Sequence, residues 1–241
     1  MQRRQHTGID AVETALRQGP VLRLVLMRRD ADDPRLAVLR EACEAAGVVV
    51  RESSANDLRR MRVGSEEVDA LGLSGPDPKA APAEWLAERS MPAWLLTGIA
   101  YPGNAGYAIR CAEVSGASGI AFDVDFAREM REQAYRTSMG ADRFLPVWWA
   151  EAGEVLATAR AAGRRIVVVE DCGTRAPWQM DLTLPALYVV GGEDQGVPRE
   201  LVDAADELLR LPMAGFVPSY NLQAAMAMVA GEILRQGEGQ A

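Results

Sequence analysis

Histidine and lysine are almost missing from this 241-residue chain, where His6 and Lys79 stand alone in their types. Cysteine is scarce too. Cys43, Cys111 and Cys172 are odd in number and far apart, so they offer neither a disulfide framework nor a CxxC metal half-site. A bound metal is therefore not expected, and the same shortage argues against a histidine-based catalytic triad, because the one histidine stands in what reads as a mobile N-terminal tail. The cysteines are expected to be reduced residues of the core or of helices. Long apolar runs are absent as well: nothing approaches the roughly 18 residues that a membrane span requires. The opening MQRRQHTGID has two arginines but no apolar segment behind them, so it does not read as a secretory signal. The expectation is a cytoplasmic protein with no membrane partner.

Positive charge is also in deficit, with 26 basic against 34 acidic residues and a net charge of −8. Its distribution is uneven. Residues 1–73 carry 12 arginines and 12 acids, whereas residues 74–241 carry 14 basic and 22 acidic residues and so hold the whole excess. This balance speaks against strong nonspecific binding to nucleic acid and leaves room for a local basic patch. Nearly every cation is arginine, whose planar fork suits phosphates and stacked bases.

Against these shortages stands a regular alternation of helical and strand periods. In the first third, residues 11–18, 34–46 and 56–61 read as helices, and residues 21–27 and 48–51 as strands. Residues 75–92, GPDPKAAPAEWLAERSMP, hold four prolines and read as a linker or a connecting helix with stiff ends. The expected domains are thus 1–74 and 93–241, with a disordered tail QGEGQA. The second half repeats the pattern on a larger scale. Strands are expected at 93–100, 119–124, 145–149, 165–170, 187–190 and 207–211. Helices are expected at 105–115, 127–138, 151–162, 199–204 and 222–234. Runs such as IVVVE and LYVV alternate little, as befits parallel strands covered by helices on both faces.

Three glycine- or proline-rich turns each follow a strand: TGIAYPGNAGYAIR (97–110), YVVGGEDQGVPREL (188–201) and LRLPMAGFVPSYNLQAA (209–225). In an open parallel sheet the ligand crevice lies beyond the carboxyl ends of the strands, so three such turns can converge on one pocket. None is GxGxxG or a Walker loop. On spacing alone, three tight turns between strand and helix explain them equally well.

Taken in order and at these separations, the turns resemble the signature motifs of the SpoU (TrmH) family of RNA ribose methyltransferases, within the SPOUT superfamily. Asn104, Gly106 and Arg110 match the first motif. Gly191, Glu193 and Gly196 match the GxExxG core of the second. LPMAGFVPSYNLQAA, residues 211–225, matches the third, which reads roughly IPMxGxxxSLNVSxA. TSMGADRFLPVWW (137–149) resembles the family's SxGAxxxLPV stretch. Residues 8–62 resemble, more loosely, the small ribosomal-protein-like RNA-binding domain that precedes the catalytic domain in many members.

The resemblance implies an α/β domain with a parallel sheet and a deep trefoil knot. It implies S-adenosyl-L-methionine as cofactor, held by Gly191, Leu211, Met213, Gly215, Tyr220 and Leu222. It implies a homodimer that methylates a 2′-hydroxyl of structured RNA, ribosomal RNA favoured over transfer RNA. Arg110 is the expected activating residue, orienting the hydroxyl or a phosphate and stabilising developing negative charge, since a guanidinium is a poor base. Asn104 is expected to hold that arginine or the ribose, Glu193 to bind RNA or brace its loop, and Asn221 to fix the turn between cofactor and substrate. Arg28, Arg29, Arg59 and Arg60 are candidate phosphate contacts in the first domain. Four positions depart from the pattern: Tyr101 stands where Asp or Asn is common, Cys111 where Thr is, Tyr220 where Leu is, and Leu222-Gln223 where Val-Ser is. These departures leave open a noncatalytic RNA-binding or assembly factor that keeps the knot.

Overall fold

A computed structural model describes residues 3–18, 21–217 and 219–238. The chain divides into two compact units, 1–76 and 77–241. The first contains β1 (Arg4–Thr7), α1 (Ile9–Gln18), β2 (Leu22–Arg28), α2 (Arg35–Ala45), β3 (Val49–Ser53), α3 (Ala55–Met61) and β4 (Ala70–Ser74). Its sheet runs β1-β4-β2-β3, with β3 parallel to β2 and β4 antiparallel to both β1 and β2. One face buries Val12, Val25, Met27, Leu39 and Cys43 beneath α1 and α2. Ser54 caps α3, its hydroxyl accepting from the Asp57 amide at 3.1 Å.

Two strands here lie outside the expected set. β1, with the sequence RQHT, is a polar edge strand with no apolar signature, and β4, ALGLS, is a short buried run with Gly72 in its middle. The expected mobile tail is corrected accordingly. His6 pairs in register with Gly72, is half-buried, and lies 3.2 Å from the Ser74 hydroxyl. Gln5 adds two bonds, donating to Met61 O at 2.7 Å and accepting from the Val63 amide at 2.8 Å. Backbone pairing and side-chain polar bonds hold this segment where hydrophobic burial does not.

The second unit contains α4 (Pro82–Leu86), β5 (Ala93–Thr97), α5 (Pro102–Val114), β6 (Gly119–Asp123), α6 (Arg128–Thr137), β7 (Val147–Trp149) and α7 (Ala152–Ala161), followed by β8 (Arg165–Val169), β9 (Ala186–Gly191), α8 (Arg199–Asp203), β10 (Glu207–Leu209) and α9 (Leu222–Glu238). All six strands are parallel, in the order β10-β8-β9-β5-β6-β7. Side chains alternate across the pleat. Trp94, Leu96, Ile120, Phe122, Tyr188 and Val190 face a layer containing α5, α6 and α9. Leu95, Ala121, Ile166, Val168, Leu187 and Val189 face α4, α7 and α8. Both faces are covered, which is why the strands read as continuous apolar runs. Among the described residues no helix is long and apolar enough to cross a membrane.

The segment 75–92, expected as a linker or a connecting helix, holds a helix and contributes to this core: α4 buries Trp85 and Leu86 on the sheet. Arg164, just before β8, holds the following residues. It is 3% exposed and donates to the carbonyls of Leu86 (2.6 Å), Glu88 (2.6 Å), Met91 (2.9 Å) and Ala186 (2.9 Å), and to the Ser118 hydroxyl at 3.2 Å. Burial, with a smaller repulsion from Arg89, brings its pKa down to about 10. The expected disordered tail is corrected in part: α9 continues to Glu238, and Gln236 bonds the Leu182 amide and the Met180 carbonyl. Residues 239–241 lie outside the described residues.

Candidate active site

In a sheet whose strands are all parallel, every carboxyl end lies on one edge. The first turn leaves β5, the second leaves β9 and the third leaves β10, so that edge carries all three. β5 and β9 are neighbours. The chain runs outward from β5 through β6 to β7, then returns to β8 on the opposite side of β5. Here the winding direction reverses, and a crevice opens above such a reversal.

The first two turns touch through their backbones. A Cβ built on Gly192 would lie 2.0 Å from Gly98 O, and one on Gly191 would lie 2.0 Å from the carbonyl carbon of Gly196. Only glycine permits either approach. Side chains join the same turns: the Asn104 amide donates to Glu193 Oε1, and the Ala100 amide reaches Glu193 Oε2 at 3.4 Å. The Asn104 side chain thus turns to Glu193 and not to Arg110, which corrects its expected partner within the protein. The two residues are six apart on α5 and point in different directions around its axis. Arg110 is exposed. Gly106 has a structural reason of its own. A Cβ there would lie 2.5 Å from Ala134 O and from Thr137 Cβ, so its small size lets α5 and α6 cross closely.

The third turn runs from the end of β10 to the start of α9. Leu211 and Leu222 are buried in the core at its two ends, and Met213 is half-buried. Gly215 and Tyr220 are exposed, and a Cβ on Gly215 would meet nothing within 4 Å. The Tyr220 hydroxyl donates to Pro212 O at 3.0 Å and closes the turn on itself. Asn221 caps α9, its Oδ1 accepting from the Gln223 amide at 3.0 Å. This cap operates whatever follows at positions 222 and 223. Among the described residues, no amide of 213–217 donates to another backbone group.

Sequence reasoning missed Glu170, at the end of β8. β8 lies between β9 and β10, so its short end turn stands between the second and third turns. The Glu170 amide donates to Leu209 O at 2.9 Å, and its Oε2 accepts from the Val197 amide at 2.8 Å. The expected strand 165–170 ends on Glu170 and gives no sign of this, because strand order across the sheet is not written locally.

Of the candidate phosphate contacts in the first unit, Arg28 pairs with Asp30 and Asp69, and Arg29 with Glu52. Arg59 donates to the Asn56 side chain at 2.9 Å, and Arg60 is exposed.

A parallel α/β domain whose glycine turns gather at a reversal of strand order belongs to the class that binds a ligand above the sheet edge, with chemistry set by the turns. The chain is a member of the SpoU rRNA Methylase family, whose profile matches residues 93–231. It is 28% identical over 239 residues to the 23S rRNA (guanosine-2′-O-)-methyltransferase RlmB of Pseudomonas aeruginosa, with 95% of each chain covered. It is 30% identical over 250 residues to an uncharacterized tRNA/rRNA methyltransferase of Mycolicibacterium vanbaalenii, covering 96% of this chain and 79% of that one. Its fold is that of an AdoMet-bound rRNA methyltransferase from Sinorhizobium meliloti, with a TM-score of 0.58, 24% identity, and 97% of this chain and 87% of the other covered. It also matches the SpoU methyltransferase AviRb of Streptomyces viridochromogenes in complex with AdoMet, with a TM-score of 0.59, 22% identity, and 98% and 91% coverage.

Proposed function

We propose that this protein transfers the methyl group of S-adenosylmethionine to a ribose 2′-hydroxyl of structured RNA, at the carboxyl edge of the second unit's sheet. The observation that carries the reading is the joining of the first and second turns through Asn104 and Glu193 beside the third turn.

The residues fit the cofactor. The third turn offers the amides of 213–217, which have no backbone partners among the described residues, and Leu211 and Leu222 lie at its two ends as apolar side chains. Backbone groups can read an adenine edge, and an apolar slot can take its ring. Gly191, Leu211, Met213, Gly215, Tyr220 and Leu222 are assigned to this binding. Bound there, S-adenosylmethionine would supply a methyl group on a cationic sulfonium, the ribose oxygen gaining the methyl as a neutral thioether leaves and the hydroxyl proton passes to solvent. The chain's part is to place the 2′-oxygen in line and to steady the charge that develops on it. Arg110, exposed on α5, takes that role through the hydroxyl or an adjacent phosphate. Asn104 and Glu193 hold the first turn against the second, and Asn221 fixes the start of α9.

Three further parts belong to the same reading. The chain leaves β10 at the sheet edge and returns as α9 to pack on β9 and α5 nearer its middle, which supports a knotted C-terminal segment. Exposed Tyr107 and Val114 on α5, Met228 on α9 and Phe216 in the third turn support a twofold homodimer through this layer. The first unit is assigned to recognition of a folded RNA element by shape, with ribosomal RNA favoured over transfer RNA. A cytoplasmic location goes with that substrate.

The test is incubation of the full chain with labelled S-adenosylmethionine and either ribosomal or transfer RNA, followed by mapping of 2′-O-methyl positions. Transfer to a ribose oxygen is expected. Tight cofactor binding without transfer to either RNA would overturn methyl transfer and leave a noncatalytic RNA-binding factor.

A further inference from the structure

The end turn of β8, residues 170–173, has no part in the mechanism above, yet it touches both neighbouring turns. Glu170 has four hydrogen bonds there. Its amide donates to Leu209 O at 2.9 Å, and its carbonyl accepts from the Gly173 amide at 3.2 Å. Oε1 accepts from the Asp171 amide at 3.1 Å, and Oε2 accepts from the Val197 amide at 2.8 Å. Gly196 sits against this carboxylate with φ +64°, and a Cβ there would lie 2.8 Å from Oε2. The same turn is packed against the third: a Cβ on Gly173 would lie 2.8 Å from the carbonyl carbon of Leu209.

The second turn has few other ties. The Gly192–Gly196 bridge is internal to it, and among the described residues the bonds of Glu193 lead to the first turn. The Glu170 carboxylate is what holds it on the β8 side. A carboxylate accepting from backbone amides is a charge-assisted acceptor, about twice as strong as a neutral one. We propose that Glu170 is a positioning residue for cofactor binding, its carboxylate clamping residues 191–197 in register with the third turn. This rests on the assignment of those turns to S-adenosylmethionine.

The test measures S-adenosylmethionine binding by calorimetry, and KM for cofactor and for RNA separately, with the full chain and its Glu170→Ala and Glu170→Gln variants. Wild type binds the cofactor. Glu170→Ala is expected to weaken that binding by about tenfold or more and to raise the KM for cofactor, leaving the KM for RNA within about twofold. Glu170→Gln keeps one acceptor oxygen and should recover part of the loss. Wild-type cofactor affinity in either variant, or an equal rise in both KM values, overturns the role. If Glu170→Ala does not fold, the isosteric Gln variant decides by the same criteria. Failure of the wild-type protein itself to bind S-adenosylmethionine overturns the functional reading and this role with it. Normal wild-type binding with unchanged variants overturns the role alone.

Discussion

Gly192→Ala tests whether the site depends on two turns meeting backbone to backbone. The new methyl would lie 2.0 Å from Gly98 O, 2.4 Å from Gly98 C and 3.0 Å from Ile99 N. Real contacts of this kind begin near 3 Å, so one turn must move by about 1 Å. Neither is free to do so. Gly98 is held by its amide, which donates to Asp123 O at 3.2 Å, and the second turn is held by Glu170 at Val197. Overpacking against fixed backbone costs about 1–3 kcal/mol. In a unit of this size that lowers Tm by about 2–4 °C per kcal/mol. Glu193 is the next residue, so the displacement also pulls its carboxylate from Asn104 and Ala100. A misplacement of about 1 Å in catalytic geometry costs about 100-fold in rate. Expected, therefore, are a fall of about 2–12 °C in a thermal melt and a drop of about 100-fold in kcat/KM for methyl transfer. Gly153→Ala is the control. It lies on α7 with nothing within 4 Å of its Cβ, and should leave turnover unchanged while raising stability slightly. A Gly192→Ala protein with wild-type melting and turnover would refute the account of the two turns.

Arg110→Ala should abolish transfer while leaving the affinity for S-adenosylmethionine unchanged by calorimetry; residual activity near wild type would remove Arg110 from the mechanism. Arg164→Ala strands the carbonyls of Leu86, Glu88, Met91 and Ala186 in the interior, and urea unfolding should show a loss of about 3–5 kcal/mol. Arg164→Lys keeps the charge without the fork, so it should recover only part of that loss. His6 is the chain's one histidine and gives a single imidazole signal by NMR. Burial, with Arg4 nearby, lowers its pKa below 6.5, so its titration midpoint should fall below that value. Between the two pKa values the unfolded chain binds more protons. The His6 contribution is therefore fully present above pH about 6.5 and declines as the pH falls below it, a slope that His6→Ala should flatten.

Much of the second unit was legible because its strands are long apolar runs and its helices are bounded by turn residues. β5, β6, β8 and β9 stand where those runs stand, and α9 begins at Leu222 as expected, whereas α5 begins at Pro102, three residues ahead of the expected helix 105–115. What failed to show had a different source of stability. β1 is held by pairing between Arg4–Thr7 and Leu71–Ser74, far apart in the chain, with little apolar pattern of its own, and β4 is a short buried run interrupted by Gly72. Trp85 looked like part of a proline-rich connector, and its burial depends on strands that follow it in sequence.

At the site, residue types and spacing within each turn were determined by the sequence itself: an asparagine, a glycine and an arginine on one helix, a GxExxG turn, and a helix begun by Asn221. These are local properties, set by backbone conformation and by periodicity. Which turns meet was decided only in three dimensions. The order β10-β8-β9-β5 places Glu170 between two turns that carry the motifs, and brings Asn104 to Glu193 across 89 residues of chain. Such pairings come from burying both faces of one sheet at once, a condition on the whole domain that no short stretch of sequence expresses.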